Sequence, residues 1–156
     1  MKIAVGSDMK THLTEVVVDE LKKKGFEVEV YGALVKEPAP WPWVAVEVAE
    51  KVATGACEQA VLFCWTGTGI SLAANKVRGV RAALCQDAET ARGARKWNDA
   101  NVLAMSLRAV SEQVAKEILE AWFNTAPSSD REDADCLAYL AEVEKKYLLP
   151  VQHAAQ

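Results

Sequence analysis

Only two histidines, His12 and His153, occur in a chain of 156 residues, and its four cysteines, Cys57, Cys64, Cys85 and Cys136, form no CxxC pair. That is too little for most metal sites, so no metal is expected. Without paired spacing the thiols read as reduced, as in a cytoplasmic protein, rather than as a disulfide frame. Positive charge is also short, with 18 Lys and Arg against 22 Asp and Glu, a net −4. Nucleic acid and anionic membranes are bound through positive patches, so neither is expected as the main partner. No apolar run approaches the ~20 residues that cross a bilayer. The opening Met1-Lys2-Ile3-Ala4-Val5 enters a strand pattern directly, without the profile of a signal peptide. No GxGxxG is present and no Walker lysine follows the glycines at 67 and 69. Binding of a dinucleotide or nucleoside triphosphate is therefore disfavoured, and no cofactor is expected.

What is present is a 51% apolar, 26% charged composition, the proportions of a globular domain. A single domain of this length buries roughly 70% of its unfolded surface. Short apolar runs alternate with helical periods along it. Lys2 to Val5 reads as a strand, and Leu13, Val16, Val17 and Leu21 then recur at helical spacing up to a basic last turn and Gly25. Phe26, Val28 and Val30 alternate as a second strand. Pro38, Pro40 and Pro42 mark a loop holding Trp41 and Trp43, before a helix from about Val44 to Val52. Val61-Leu62-Phe63-Cys64 is apolar throughout, as a central parallel strand covered on both faces requires. Further strands are read at Ala82–Cys85 and Asn101–Met105. Asp87 and Ser111 serve as N-caps for the helices that follow them. Ser129-x-x-Glu132 forms a capping box for a last helix to about Tyr147.

Five strand–helix alternations give a three-layer α/β/α sandwich with a five-stranded, mostly parallel, Rossmann-like sheet and an extra C-terminal helix. The expected organisation is a domain over 1–125, a helix over 126–150 that packs on the domain or on a partner subunit, and a tail over 151–156. Leu137, Leu140, Val143 and Tyr147 give that helix an apolar stripe needing cover. In open parallel sheets ligands bind beyond the carboxyl ends of the strands. The loops of interest are therefore Gly6–His12, Cys64–Ser71, Cys85–Asp87 and Ser106–Arg108.

The strongest local signal is Cys64-Trp65-Thr66-Gly67-Thr68-Gly69-Ile70-Ser71. A thiol closes a buried strand, glycines turn the backbone tightly, and a helix begins. Successive N–H groups then converge on a site suited to a phosphate or a developing oxyanion, and the same positive end favours a thiolate. Equally, the glycines can serve only to pack a helix on a sheet, with Cys64 as a small buried hydrophobe.

Four segments in order, Met1 to Asp8, Cys64 to Lys76, Gly79 to Cys85 and Asn98 to Leu103, resemble ribose-5-phosphate isomerase B and its superfamily relative galactose-6-phosphate isomerase. The resemblance runs from the first residue to about Phe123. It implies a metal-free aldose–ketose isomerase working through a cis-enediol. Cys64 would be the base, and Thr66 with the backbone of Gly67, Thr68, Gly69 and Ile70 would hold the enediolate. Some relatives carry a glutamate base where Ile70 stands, and Ile70 cannot act so. Asp8 matches a residue that contacts sugar hydroxyls, Asn98 one near the reacting carbons, and Arg108 one at the anionic end. Asp8 otherwise reads as a helix-entry cap and Arg108 as a surface charge. The resemblance also implies a homodimer, or a dimer of dimers, whose sites are completed by the neighbouring subunit.

Departures from the resemblance fall around the same loops. Met9 replaces a phosphate-binding histidine, and Trp97 replaces the ring-opening histidine before Asn98. Trp65 stands where glycine is usual, and Trp41 where tyrosine is. The arginines of the family's C-terminal phosphate clamp give way to Asp130-Arg131-Glu132-Asp133-Ala134-Asp135. Trp65 and Trp97 offer flat faces for stacking on sugar C–H groups, or ordinary packing. His12 is a candidate replacement acid–base group and Lys10 a candidate cation, both in the first loop. The sequence thus points to a sugar or sugar-phosphate isomerase whose substrate need not carry phosphate. The alternatives are a silent sugar- or nucleotide-binding member of the family and, more weakly, a thiol-dependent hydrolase or transferase.

Overall fold

The computed structural model describes residues 1–151, so His153 and the rest of the tail lie outside the described residues. The elements in chain order are β1 (Lys2–Ser7), α1 (His12–Lys23), β2 (Glu27–Gly32), α2 (Trp41–Ala53), β3 (Gln59–Cys64) and α3 (Thr68–Ala74). They continue as β4 (Ala82–Leu84), α4 (Ala88–Asn98), β5 (Val102–Ser106), α5 (Glu112–Phe123) and α6 (Arg131–Tyr147). The strands form one sheet in the order β2-β1-β3-β5-β4, and every pairing is parallel. The sheet is thus wholly parallel rather than mostly so.

Burial accounts for the arrangement. The inner strands β1, β3 and β5 are buried along almost their whole length, and side chains alternate between two cores. Ile3, Val5, Phe63, Leu103 and Met105 face α1, α4 and α5, whereas Ala4, Leu62, Cys64, Val102 and Ala104 face α2 and α3. The strand order reverses direction between β1 and β3, which opens a crevice past their carboxyl ends.

Two local expectations are corrected. Trp41 and Trp43 are not loop residues: α2 begins at Trp41, and Pro42 sits in its first turn, where no N–H is needed. The capping box at Ser129 does not form. Asp130 is the N-cap of α6 without a side-chain cap, and Ser128 Oγ instead accepts from the Asp130 N–H at 3.0 Å. The capping side chains of Asp87 and Ser111 do form, on the N–H groups of Thr90 and Val114.

The last helix is attached lightly. No residue of α6 is buried. The linker before it is tied to α4 by a hydrogen bond from the Ser128 N–H to the Lys96 carbonyl, 2.7 Å. Between α6 and the β4 edge lies a crevice of about 510 Å³, lined by Val80, Ala82 and Ala83 on one side and Leu140, Val143 and Tyr147 on the other.

Candidate active site

The register of the two switch-point strands assembles the site. Ser7 pairs with Phe63, so Asp8 and Cys64 follow side by side, and the Asp8 N–H donates to the Phe63 carbonyl at 3.4 Å. The buried Ser7 hydroxyl donates to the Met9 carbonyl at 2.6 Å and accepts from the Met9 N–H at 3.2 Å, folding the first loop back over the strand end. One carboxylate oxygen of Asp8, Oδ1, is buried with no hydrogen-bond partner among the described residues. Burial raises the Asp8 carboxyl above its ordinary range, against a smaller opposing effect of its backbone hydrogen bond.

Cys64 ends β3 with only 5% exposure, its side chain in the core shared with Leu62, Ile70 and Ala104. The chain then turns through Gly67, whose φ of +76° lies in the left-handed region. A Cβ at Gly67 would come 2.5 Å from Leu84 Cδ1 and 3.0 Å from the Met105 backbone, so glycine is required twice over. The first turn of α3 leaves the N–H groups of Thr68, Gly69 and Ile70 without intrahelical acceptors. Ile70 itself is fully buried and gives the site no more than its N–H. The hydroxyls of Thr66 and Thr68 meet at 2.7 Å across the turn. Trp41 lies against the turn from α2: a Cβ on Gly69 would come 3.2 Å from its ring. Trp65 is 54% exposed beside it.

The loop after β5 closes the other side. Ser106 Oγ and the Arg108 N–H both reach the Trp65 carbonyl, at 2.9 and 3.0 Å, and the Leu107 N–H reaches the Cys64 carbonyl at 3.0 Å. Arg108 pairs with no carboxylate among the described residues, and its side chain is exposed. The two other basic candidates are engaged: Lys10 Nζ lies 3.3 Å from Glu15 and His12 Nε2 lies 2.7 Å from Glu112. His12 also opens α1, on the opposite face of the sheet from Cys64.

Trp97 and Asn98 are not brought to this place. They end α4, which leads into the start of β5, while Cys64 pairs with Ser106 at the finish of β5. Five residues of strand, at ~3.3 Å each, put roughly 17 Å of sheet between them. Both are exposed, Trp97 to 52%. Within one chain the indoles at the turn are thus Trp65 and Trp41, with Trp97 at the far end of the sheet. Neither the crevice under α6 nor the one at the β2 edge beside Trp43 has Cys64 in its lining.

Sequence reasoning missed a clamp behind Asn98. Arg81 and the buried Arg95 hold the two carboxylate oxygens of Asp99, at 3.0 and 3.2 Å. Nothing periodic announces it, although the Asn98-Asp99-Ala100-Asn101 run contains its centre.

Residues 3–136 match the family model described as Ribose/Galactose Isomerase. Ribose-5-phosphate isomerase B of Escherichia coli is 41% identical, covering 78% of this chain and 82% of the relative. D-erythrulose-4-phosphate isomerase of Pectobacterium atrosepticum is 37% identical, over 80% of this chain and 83% of its own length. Among solved structures, ribose-5-phosphate isomerase B of Clostridium thermocellum superposes with a TM-score of 0.88 at 40% identity, covering 94% of this chain and 99% of that one. The chain belongs to the ribose/galactose isomerase family.

Proposed function

We propose that this chain interconverts an aldose and a ketose by moving a proton between adjacent carbons of an open-chain sugar, with Cys64 as the base. The observation that carries the reading is the juxtaposition at the switch point. A strand-ending thiol, the buried carboxyl oxygen of Asp8 and the N–H groups that open α3 lie together past the carboxyl ends of β1 and β3. The thiolate takes the proton next to the carbonyl, and the electron pair moves onto the carbonyl oxygen as an enediolate. The N–H groups of Thr68, Gly69 and Ile70, with the Thr66 hydroxyl, stabilise that anion; a proton passes from the adjacent hydroxyl to this oxygen, and the thiol then returns its own proton to the former carbonyl carbon, leaving the new carbonyl next to it. Asp8 and Trp41 orient the hydroxyls and carbon skeleton.

Asn98 acts in a homodimer, from a second chain, since its own Cys64 lies across the sheet. The substrate is short and reacts in its open form. In a four-carbon sugar substituted at C4, as in the name of the Pectobacterium relative, no hydroxyl remains to close a five-membered ring. Trp97, which cannot transfer a proton, is then no handicap. Arg108 receives the acidic end, phosphate or another anion.

Deuterium uptake from D2O at the carbon next to the carbonyl, C2 of an aldose or C1 of a ketose, tests this on ribose 5-phosphate, erythrulose 4-phosphate, a sulfonated tetrose and their uncharged parents. At least one is expected to exchange with wild type and none with Cys64→Ala. No exchange with any sugar, together with stabilisation of the fold by several, would leave a silent sugar-binding module, the reading favoured by the 5% exposure of Cys64.

A further inference from the structure

The sharpest backbone irregularity lies beside Asn98. Asp99 is the one non-glycine residue among those described with positive φ, at φ 43° and ψ 44°. Such conformations persist where the surroundings over-determine them, and they gather at functional sites. Here the surroundings are two guanidinium groups. Arg81 Nη2 lies 3.0 Å from Asp99 Oδ2, and its Nε donates to the carbonyls of both Asp99, at 2.9 Å, and Asn98, at 3.2 Å. Arg95, stacked 5.6 Å over the Trp122 ring, holds Asp99 Oδ1 and the Ala100 carbonyl. The side chain of Asn101 completes the frame, accepting from the Arg81 N–H at 2.8 Å and donating to the Gly79 carbonyl at 2.9 Å.

Every bond of this frame falls on backbone or on Asp99. The Asn98 side chain takes no part: it is exposed at the rim of the α6 crevice and makes no hydrogen bond among the described residues. A left-handed residue alone would suffice to end a helix. The guanidinium on the Asn98 carbonyl satisfies one of the orphan carbonyls of the helix end and holds in place the main chain from which that side chain leaves the surface.

We propose that Arg81 is a positioning residue, setting Asn98 for use in the crevice of the neighbouring subunit. This rests on the reading above that Asn98 acts across a dimer. Arg81 therefore works in trans: its loss disables the partner's site and spares the site built on its own Cys64.

The test uses heterodimers purified through two different tags, assayed by deuterium exchange next to the carbonyl on whichever sugar phosphate wild type exchanges fastest. Arg81→Gln homodimers are expected to lose at least tenfold in kcat/KM. The heterodimer of Cys64→Ala with Arg81→Gln is expected to recover about half of wild-type activity, since one of its two sites has both groups intact. The Cys64→Ala with Asn98→Ala heterodimer is the control and recovers the same half. Recovery in the control alone would overturn the Arg81 proposal, because damage in cis does not complement. Recovery in neither pair would remove the cross-subunit reading, and this proposal with it. Should Arg81→Gln fail to fold, Arg81→Lys replaces it, keeping the charge on Asp99 but losing the bridge to the Asn98 carbonyl. Wild-type kcat/KM in the Arg81→Lys homodimer would overturn the proposal.

Discussion

The amide of Asp8 donates to the carbonyl of Phe63 at 3.4 Å, a hydrogen bond that continues the β1–β3 ladder one step past Ser7. It brings the carboxyl that follows β1 beside the thiol that ends β3. The consequences can be tested one residue at a time.

Cys64→Ala should abolish proton exchange while leaving the fold intact. Losing a positioned base costs about 10²–10⁴-fold in kcat. The sulfur fills a packed core, so stability should also fall, by about 1 kcal/mol. Single-turnover exchange and a thermal melt separate the two effects. A variant that melts normally and still exchanges would rule out the thiol as base.

Gly67→Ala and Gly25→Ala form a matched pair. Both glycines have left-handed φ, +76° and +85°, yet a Cβ at Gly25 meets nothing within 4 Å while one at Gly67 strikes Leu84 and Met105. Gly25→Ala is expected to cost about 1 kcal/mol, the ordinary left-handed penalty. Gly67→Ala adds overpacking of roughly 1–3 kcal/mol and should displace the α3 turn, so activity falls with stability. Equal urea midpoints for the two variants would contradict the packing shown around the turn.

Asp8 makes a prediction about pH. Burial raises its carboxyl in the folded chain, so the group contributes stability while protonated. That contribution is complete below the unfolded value of ~3.9 and is lost as pH rises through the higher folded value. Asp8→Asn is neutral throughout and lacks this loss. Its Tm relative to wild type should therefore climb as pH rises through and above the ordinary carboxylate range. A difference that does not change with pH would show that the carboxyl is not held up by burial.

The thiols should differ in reactivity. Burial, with a smaller contribution from the Asp87 charge, pushes the Cys85 thiol up to about 12, whereas Cys136 is exposed on α6. Iodoacetamide at mildly alkaline pH should alkylate Cys136 first, leaving Cys85 and the buried Cys57 unmodified until the chain is unfolded. Peptide mapping of the labelled protein reads this directly.

Much of this was legible in the sequence because the relevant physics is local. Unbroken apolar strands such as Val61–Cys64, side-chain caps at Asp87 and Ser111, and glycines at a strand–helix junction leave traces within a few residues. The start of α2 was obscured because proline reads as a breaker, though it costs nothing in a first turn. The separation of Asn98 from Cys64 depends on which end of the sheet each helix returns to, which is set by chain topology and not by composition. The Arg81–Asp99 pair joins residues 18 apart in sequence, with no period to betray it.

The loosely held α6 carries a last implication. An amphipathic rod with no side chain fully covered is the segment most easily peeled away, and the stretch Ala126-Pro127-Ser128-Ser129 in front of it is its natural peeling point. Limited digestion of a dilute sample should trim the chain there and leave the five-stranded body whole. Concentrating the sample should slow that cut if a second copy covers the same apolar stripe.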